Sequence, residues 1–254
     1  MKISIITTTF NSEKYIESCL DSIASQTFNN IEHIVIDGKS SDDTLKKINE
    51  HIWSPSKVIS EPDFGIYDAM NKGFSLATGD VIAYLNSDDF YCNKFVLEKV
   101  ASIFLQSNTI DYVYGNVNFI NEKNLVVRKW VTGKIHGTIK DIQIPHMALF
   151  CKKSILDKVD PPFDVNYPIC ADQKQQIILI NKLKARGEYI NETFTHLRVG
   201  GKSTENLSAY FNGWIEAYKI YNEIMGSGGS WYIIMKVYRK LMGLNFLRYF
   251  LSKR

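Results

Sequence analysis

Two adjacent carboxylates follow a run of apolar residues in the segment GDVIAYLNSDDFYCN, residues 79–93. The run at 81–85 predicts a strand that is buried on both faces, and Asp88 and Asp89 follow it. Neighbouring carboxylates repel each other unless a cation neutralises them, and hard oxygen ligands suit Mn²⁺ or Mg²⁺, which bind diphosphates. The pair therefore predicts a metal–diphosphate site. The alternative is a turn that Asp88 caps while Asp89 is solvated.

Polar residues also follow two other predicted strands. The strand at 3–9 ends in threonines that include Thr8 and Thr9, and the strand within IEHIVIDGKS ends near Asp37. In open α/β sheets, ligands bind outside the carboxyl ends of the strands. The loops between these strands contain neither a GxGxxG nor a Walker A motif, so a glycine-rich phosphate cradle is not expected.

The elements that position these residues alternate as β-α-β-α-β-α-β over the first 90 residues. This order predicts an α/β fold with a mainly parallel, Rossmann-like sheet and helices on both faces. The first helix is expected to be capped by Asn11 or Ser12, and the second to begin at Ser40 or Ser41. Gly79 is expected to end the third helix.

The second half is predicted to be less regular. It contains a helix near 94–106 and strand-like segments in DYVYGNVNFI and LVVRKWV. A helix in QKQQIILINKLKARG is expected to end at Gly187, and a strand in EYINETFTHL follows it.

Composition limits the classes of protein that fit the chain. The 254 residues are 45% hydrophobic and 22% charged, which is ordinary for a globular domain, and a net charge of +3 is too weak to indicate nucleic acid. The four cysteines match no zinc spacing, and we interpret them as reduced thiols of a cytoplasmic protein. The N-terminus lacks a signal pattern, and no apolar run reaches the roughly 18 residues of a membrane span.

Four stretches of the chain closely resemble the inverting family-2 glycosyltransferases with a GT-A fold, in particular the bacterial branch that builds surface polysaccharides. They are SIITTTFN, IVIDGKSSDDT, SEPDFGIYDAMNKGFSLATGDVIAYLNSDD and IPHMALF. The resemblance covers about residues 1–205 and is most specific over 60–90. It implies a metal-dependent enzyme that moves a sugar, with inversion, from a nucleotide diphosphate sugar (above all a UDP-sugar) to a glycan or lipid-linked acceptor.

The resemblance also implies roles for the residues at the strand ends. Thr8 and Thr9 would border the nucleotide, and Asp37 would accept a hydrogen bond from the base. The SDD triplet stands where the family has its DxD motif. Asp88 would then face the ribose or the sugar, and Asp89 would coordinate Mn²⁺ or Mg²⁺, although which carboxylate binds the metal is open.

Inversion needs a general base for the acceptor hydroxyl. The family places an Asp before a helix of the second half, and the match in CADQKQQIILINKL is Asp172. Its alternative role is a plain helix N-cap. Further candidates for the donor site are Asp63, Asp68, Asn71, His146 and Arg198. The alternatives are a structural role for His146 and an ordinary surface turn around Arg198, Gly200, Gly201 and Lys202.

The implied organisation is a GT-A domain at 1–206, with a nucleotide-binding half at 1–90 and an acceptor half at 91–206. Residues 207–254 form a basic, amphipathic helical tail. Acidic residues are absent after Glu223, and the tail is expected either to lie on the inner membrane surface or to pack on the domain. The alternative functions are a non-catalytic, membrane-associated scaffold of the same fold and a nucleotidyltransferase. The sugar, acceptor and oligomeric state are not specified by the sequence.

Overall fold

The structure is a computed structural model, and it describes residues 1–139, 143–199 and 207–238. The predicted alternation of the first half is confirmed. Its elements are β1 (Ile3–Thr9), α1 (Ile16–Ala24), β2 (Ile31–Asp37), α2 (Thr44–Glu50), β3 (Lys57–Ser60), α3 (Ile66–Leu76) and β4 (Val81–Tyr84).

The second half adds shorter and more varied elements. They are β5 (Phe90–Tyr91), α4 (Val96–Gln106), β6 (Tyr112–Ile120), β7 (Val126–Trp130), a 3₁₀ turn (His146–Ala148), β8 (Leu149–Lys152), α5 (Lys153–Leu156), α6 (Ala171–Ile177) with a π-helical extension (Ile178–Lys182), β9 (Gly187–Arg198) and α7 (Leu207–Met225). A last helix, α8, occupies 229–238 of the described residues.

The described strands form one nine-stranded sheet in the order β3-β2-β1-β4-β8-β6-β9-β5, and β7 pairs with β6. The pairs β2–β3, β1–β2 and β1–β4 are parallel, as the sequence predicts for the first half. In the second half β6 and β9 are parallel, whereas β8, β7 and β5 pair antiparallel with their neighbours. The sheet is therefore a parallel half extended by a mixed half.

Helices cover both faces of the sheet. Ile6 of β1 packs in one core with Met70 of α3 and with residues of α6 and α7. Ile3 and Ile5 point to the other face and pack with residues of α1 and α4, such as Val100. This alternation along one strand places apolar side chains on both faces, as expected for a buried parallel sheet.

Several predicted helix boundaries are wrong. The residues that flank the first two helices are Tyr15 and Asp43, not Asn11, Ser12, Ser40 or Ser41. The reason is that Ser40 and Asn11 stabilise loops: the Ser40 hydroxyl accepts the Asn11 backbone N–H (2.8 Å), and Oδ1 of Asn11 accepts that of Ser41 (2.9 Å).

The predicted ends of two helices are also corrected. Helix α3 ends at Leu76, because Ala77 is already extended, so Gly79 does not end it. Gly79 instead allows a close approach to β1, since an added Cβ would lie 2.8 Å from the backbone nitrogen of Ser4. The π-helical extension of α6 ends at Lys182, and Gly187 is the first residue of β9.

The described part of the tail packs on the domain. Ala217, Ile220 and Ile224 of α7 and Tyr232 of α8 are buried in the core that contains α3 and α6. Residues 239–254 of the predicted tail lie outside the described residues. All four cysteines are free, in agreement with the prediction of reduced thiols. Among the described residues, the helices are too short or too polar to cross a bilayer.

Candidate active site

The carboxyl ends of β1, β2 and β4 meet at one edge of the sheet. Thr9 is in register with Asp37, and the backbone N–H of Ser87 donates to the carbonyl of Thr8 over 3.2 Å. The Thr8 hydroxyl also lies 3.4 Å from Oδ1 of Asn86. The structure therefore brings together the three sets of strand-end residues that the sequence indicates.

Asp89 is the buried member of the acidic pair, with 3% of its surface exposed. Its Oδ1 accepts the backbone N–H of Arg198 (3.2 Å), and its Oδ2 lies 3.4 Å from the amide nitrogen of Asn86. Burial, followed by the charge of Asp88, raises the pKa of the Asp89 carboxyl well above its usual range. The side chain is thus fixed in place, and burial disfavours its charged form.

Asp88 is half-buried and is the more accessible of the two carboxylates. Burial raises the pKa of Asp88, while the charges of Arg198 and His146 act in the opposite direction. The alternative in which Asp89 is solvated is wrong.

The acidic pair fits a divalent cation. Two neighbouring carboxylates supply hard oxygen donors, and a bound cation would remove the repulsion between them. Within the described part of the chain, three His, Cys, Asp or Glu side chains do not come together as a complete metal cage. Mg²⁺ is usually held by one or two carboxylates together with the phosphates of a substrate.

Arg198 ends β9 instead of lying in a loop. Its guanidinium packs over the rings of Tyr15 (4.5 Å) and Phe90 (5.4 Å). It also donates to Oδ1 of Asn124 over 2.9 Å. The arginine therefore anchors the segment that holds Asp89 through its backbone, and its charge acts on the acidic pair from a fixed position. Gly200, Gly201 and Lys202 of the predicted hinge lie outside the described residues.

Asp172 is the second residue of α6, whose N-cap residue is Cys170. The alternative role of Asp172 as the helix N-cap is therefore not what the structure has. Glu216 of α7 accepts the backbone N–H groups of Ile169 (3.1 Å) and Cys170 (2.9 Å). Because another helix supplies these acceptors, the Asp172 side chain is available for other partners.

The Asp172 carboxylate lies among three polar side chains. Oδ1 is 3.1 Å from the Tyr67 hydroxyl, and Oδ2 accepts the amide N–H of Gln143 over 3.0 Å. Nδ1 of His146 is 3.7 Å from Oδ2. Burial acts to raise the pKa of Asp172, but interactions with His146, the Gln173 backbone and Tyr67 outweigh burial and lower the pKa. The group is therefore ionised at neutral pH and can accept a proton.

His146 connects the two acidic sites. Its Nδ1 faces Asp172, and its charge lowers the pKa of Asp88 as well. The other ring nitrogen, Nε2, is buried without a hydrogen-bond partner among the described residues. An unpaired buried nitrogen is costly, so this atom is a place where a bound group gains a hydrogen bond.

Asp37 is fully buried at the end of β2. Its Oδ2 accepts the backbone N–H of Ser40 (3.0 Å) and the hydroxyl of Ser60 (2.6 Å), and its Oδ1 accepts the hydroxyl of Ser40. Its predicted contact to a base stays a prediction, because these serines occupy the carboxylate. Thr9, beside it in register, has a buried hydroxyl without a partner among the described residues.

Two of the weaker candidates support the loop between β3 and α3, and a third bonds the chain around Phe163. Asp63 accepts the backbone N–H of Gly65 (2.9 Å), and Asp68 accepts that of Phe64 (3.1 Å). The Asn71 amide makes two hydrogen bonds to the backbone of Phe163, as donor (2.7 Å) and as acceptor (3.0 Å). Asn71 therefore holds the chain around Phe163.

Sequence reasoning did not identify Tyr67 and Gln143 as partners of Asp172. Tyr67 is buried on the same face of α3 as Met70, and this spacing is typical of a core residue. Its hydroxyl was the available signal, because a buried tyrosine usually has a hydrogen-bond partner. Gln143 follows the undescribed residues 140–142, and no sequence pattern around it points to the site.

The fold and the site define a GT-A type α/β protein: a parallel half that ends in paired acids, joined to a mixed half that carries a buried carboxylate on a helix. Residues 4–157 match the family model Glycosyl transferase family 2, which is more than half of the chain. The chain belongs to this family.

Among curated relatives, the PGL/p-HBAD biosynthesis glycosyltransferase of Mycobacterium bovis (strain BCG / Pasteur 1173P2) is 32% identical over 175 residues. The match covers 66% of this chain and 66% of that relative, so the chain spans just under two thirds of the relative's length.

Solved structures show the same fold. The crystal structure of S. aureus TarS 1-349 has a TM-score of 0.69 at 19% identity, covering 93% of this chain and 71% of that one. The same fragment has been solved with UDP-GlcNAc (TM-score 0.64, 19% identity, 87% and 67% covered). The mannosyltransferase PcManGT from Pyrobaculum calidifontis, in complex with GDP-Man and Mn²⁺, has a TM-score of 0.67 at 14% identity, with 95% and 70% covered.

Proposed function

We propose that this protein is an inverting glycosyltransferase that moves a sugar from a nucleotide diphosphate sugar to a hydroxyl of a glycan or lipid-linked acceptor. The observation that carries the proposal is the pairing of two sites in one family-2 fold. One is the acidic pair Asp88–Asp89 at the end of β4, and the other is the ionised, buried Asp172, with His146 interacting with both. A UDP-sugar is the proposed donor, supported by the UDP-GlcNAc complex of the structural neighbour.

Asp88 and Asp89 are the residues that would hold Mn²⁺ or Mg²⁺, and Asp88 is the better candidate for direct contact because it is more accessible. The bound cation would neutralise the charge that develops on the departing diphosphate. Asp89 keeps the loop in place through the Arg198 backbone. Mn²⁺ in the mannosyltransferase complex supports the choice of metal.

Asp172 is proposed as the general base. Its carboxylate would take the proton of the acceptor hydroxyl while the hydroxyl oxygen forms a bond to the anomeric carbon. The bond from that carbon to the diphosphate oxygen breaks, and the electron pair leaves with the diphosphate. Attack from the side opposite the leaving group inverts the anomeric configuration.

Other residues of the chain hold the reacting groups. Tyr67 and Gln143 orient the base through their contacts to its two oxygens. Nε2 of His146, buried and unpaired among the described residues, is placed to bond the diphosphate or the acceptor. We propose that Thr8, Thr9 and Asp37 border the nucleotide, and that Asp63 contacts the donor sugar.

The biological setting is also proposed. Surface polysaccharide synthesis on the cytoplasmic side of the membrane fits a nucleotide-sugar donor and a lipid-linked acceptor. The M. bovis relative is named for PGL/p-HBAD biosynthesis, which is compatible with such an acceptor. Peripheral association with the inner membrane surface would bring the enzyme and that acceptor together.

The test is isothermal titration of the full chain with UDP in the presence and absence of Mn²⁺, followed by a panel of UDP-sugars and GDP-mannose. We expect metal-dependent UDP binding and slow hydrolysis of one donor. Failure of every nucleotide sugar to bind or to be hydrolysed, with either metal, would overturn the proposal.

A further inference from the structure

Helix α7 carries two apolar stripes, and only one of them is packed against other described residues. Gly213, Ala217, Ile220 and Ile224 are buried against the domain. Large apolar side chains on the other stripe are 40–58% exposed; they are Phe211, Ile215, Tyr218 and Met225. Their spacing of four, three and seven residues places them on one face of the helix. A helix in contact with the domain on one side normally has a polar opposite side, so this second stripe requires an explanation.

Helix α8 repeats the pattern. Tyr232 is buried and stacks on Tyr221 of α7 with 4.6 Å between ring centres. Trp231, Ile234 and Tyr238 are 54–63% exposed, and their spacing of three and four residues again places them on one face. The two helices therefore present seven exposed apolar side chains, which we call the α7–α8 apolar face.

The two acidic side chains on the described part of these helices are engaged by the domain. Glu216 accepts backbone N–H groups at the start of α6, and Glu223 pairs with Lys174 over 2.7 Å. The sequence after Glu223 contains no acidic residue. It contains six basic residues, which are Lys236, Arg239, Lys240, Arg248, Lys253 and Arg254. The apolar face is thus continued in sequence by a purely basic segment.

We propose that the α7–α8 apolar face docks on the surface of an anionic lipid bilayer. Aromatic and aliphatic side chains enter the boundary between headgroups and acyl chains, and basic residues are attracted to anionic headgroups. The charge argues against a second copy of the chain as the occupant. A two-fold symmetric interface juxtaposes the same surface on both subunits, so it would bring like charges together. The inference names the surface that would make the peripheral membrane contact and rests on that part of the proposed function, but it is independent of the transfer reaction, since docking needs no donor.

The experiment is flotation of the full chain with vesicles of phosphatidylcholine alone and with vesicles that also contain phosphatidylglycerol. The wild-type chain is expected to bind the anionic vesicles and to bind the zwitterionic ones much more weakly. The double variant Ile215→Glu/Ile234→Glu changes both helices at exposed positions, so the fold is retained. We expect its vesicle affinity to fall by on the order of tenfold or more.

The matched control carries the same substitutions at exposed positions elsewhere, Ile52→Glu/Leu105→Glu, where the side chains are 102% and 67% exposed. It should bind vesicles like the wild type. The proposal would be overturned if the Ile215/Ile234 variant bound anionic vesicles as well as the wild type does, or if the wild type did not bind them. The proposal would also be overturned if the wild-type chain formed a dimer that the Ile215/Ile234 substitutions dissociate and the control substitutions do not. Donor hydrolysis in solution is measured in parallel, because it reports on the proposed function and should be unchanged in both variants.

Discussion

The Tyr67 hydroxyl lies 3.1 Å from Oδ1 of Asp172, although the two residues are 105 positions apart in the sequence. Tyr67 comes from α3 of the parallel half, and Asp172 comes from α6 of the mixed half. Burial and the charge of Asp172 raise the pKa of Tyr67 well above its usual range, so the hydroxyl keeps its proton and can donate it in a hydrogen bond. The base of the second half is thus oriented by a helix of the first.

Replacing Tyr67 by Phe should shift the pH dependence of transfer. The hydroxyl stabilises the carboxylate and lowers the pKa of Asp172, so its removal raises that pKa. A base must be deprotonated to act, so the acid limb of the kcat/KM profile should move to higher pH. His146→Gln should move it further, because His146 contributes more to the lowered pKa. A Tyr67→Phe profile that superposes on that of the wild type would contradict the role of Tyr67.

Asp172→Asn should abolish most of the transfer while leaving donor binding intact. The amide keeps the size of the side chain but cannot accept the acceptor's proton, and loss of general base catalysis typically costs about 10²–10⁴-fold in kcat. UDP affinity, measured by calorimetry, should change little. The control is Asp157→Asn, an exposed carboxylate that pairs with Lys153 four residues away. Full transfer activity of the Asp172→Asn enzyme would show that Asp172 is not the general base.

Much of the parallel half could be predicted because its signals are local. Apolar runs mark β1, β2 and β4, and the carboxyl-end rule places Thr8, Asp37 and Asp88 at one edge without knowledge of any contact. The four stretches that resemble family-2 glycosyltransferases also allowed the GT-A fold to be predicted.

The side-chain partners that could not be predicted come from distant parts of the chain. The Asp172 cap, the alternative role for this residue, was plausible from its neighbours alone, but Glu216, 46 residues after Cys170, accepts the N–H groups at that helix start. In the same way Asn71 resembles a polar site residue, whereas its amide is bonded to Phe163, 92 positions away. Local sequence carries no information about such partners, so these roles required the structure.

Asp89→Asn should weaken metal binding without destabilising the protein. The folded state disfavours the charged form of this buried carboxylate, whose pKa is raised by burial and by the charge of Asp88. An asparagine oxygen can still accept the Arg198 N–H, so the melting temperature should stay the same or rise. Mn²⁺ affinity in the presence of UDP should fall by on the order of tenfold or more, and Asp88→Asn should have the larger effect.

Calorimetry measures the Mn²⁺ affinity of the Asp89→Asn variant, and thermal unfolding measures its melting temperature, so the two effects can be separated. Removal of Mn²⁺ with a chelator should abolish the metal-dependent increase in UDP affinity of the wild type. It should change the UDP affinity of either variant little. A much lower melting temperature of Asp89→Asn would mean that the charge of Asp89 itself holds the loop. Unaltered Mn²⁺ affinity in both variants would show that Asp88 and Asp89 do not bind the metal.

Asn71→Ala should lower stability first and activity second. It removes both hydrogen bonds to the Phe163 backbone, which should cost about 1–3 kcal/mol in the free energy of unfolding. Phe163 stacks on Tyr67 with 5.3 Å between ring centres, so a displaced Phe163 would disturb the orientation of Tyr67 and with it that of Asp172.

Denaturant unfolding and kcat are the measurements for Asn71→Ala, and Ser75→Ala on the same helix is the control, because its hydroxyl bonds only a local carbonyl at an exposed position. We expect kcat to fall while the donor KM stays near that of the wild type. A raised donor KM with unchanged stability would instead show that Asn71 contacts the sugar, as the resemblance to the family implied.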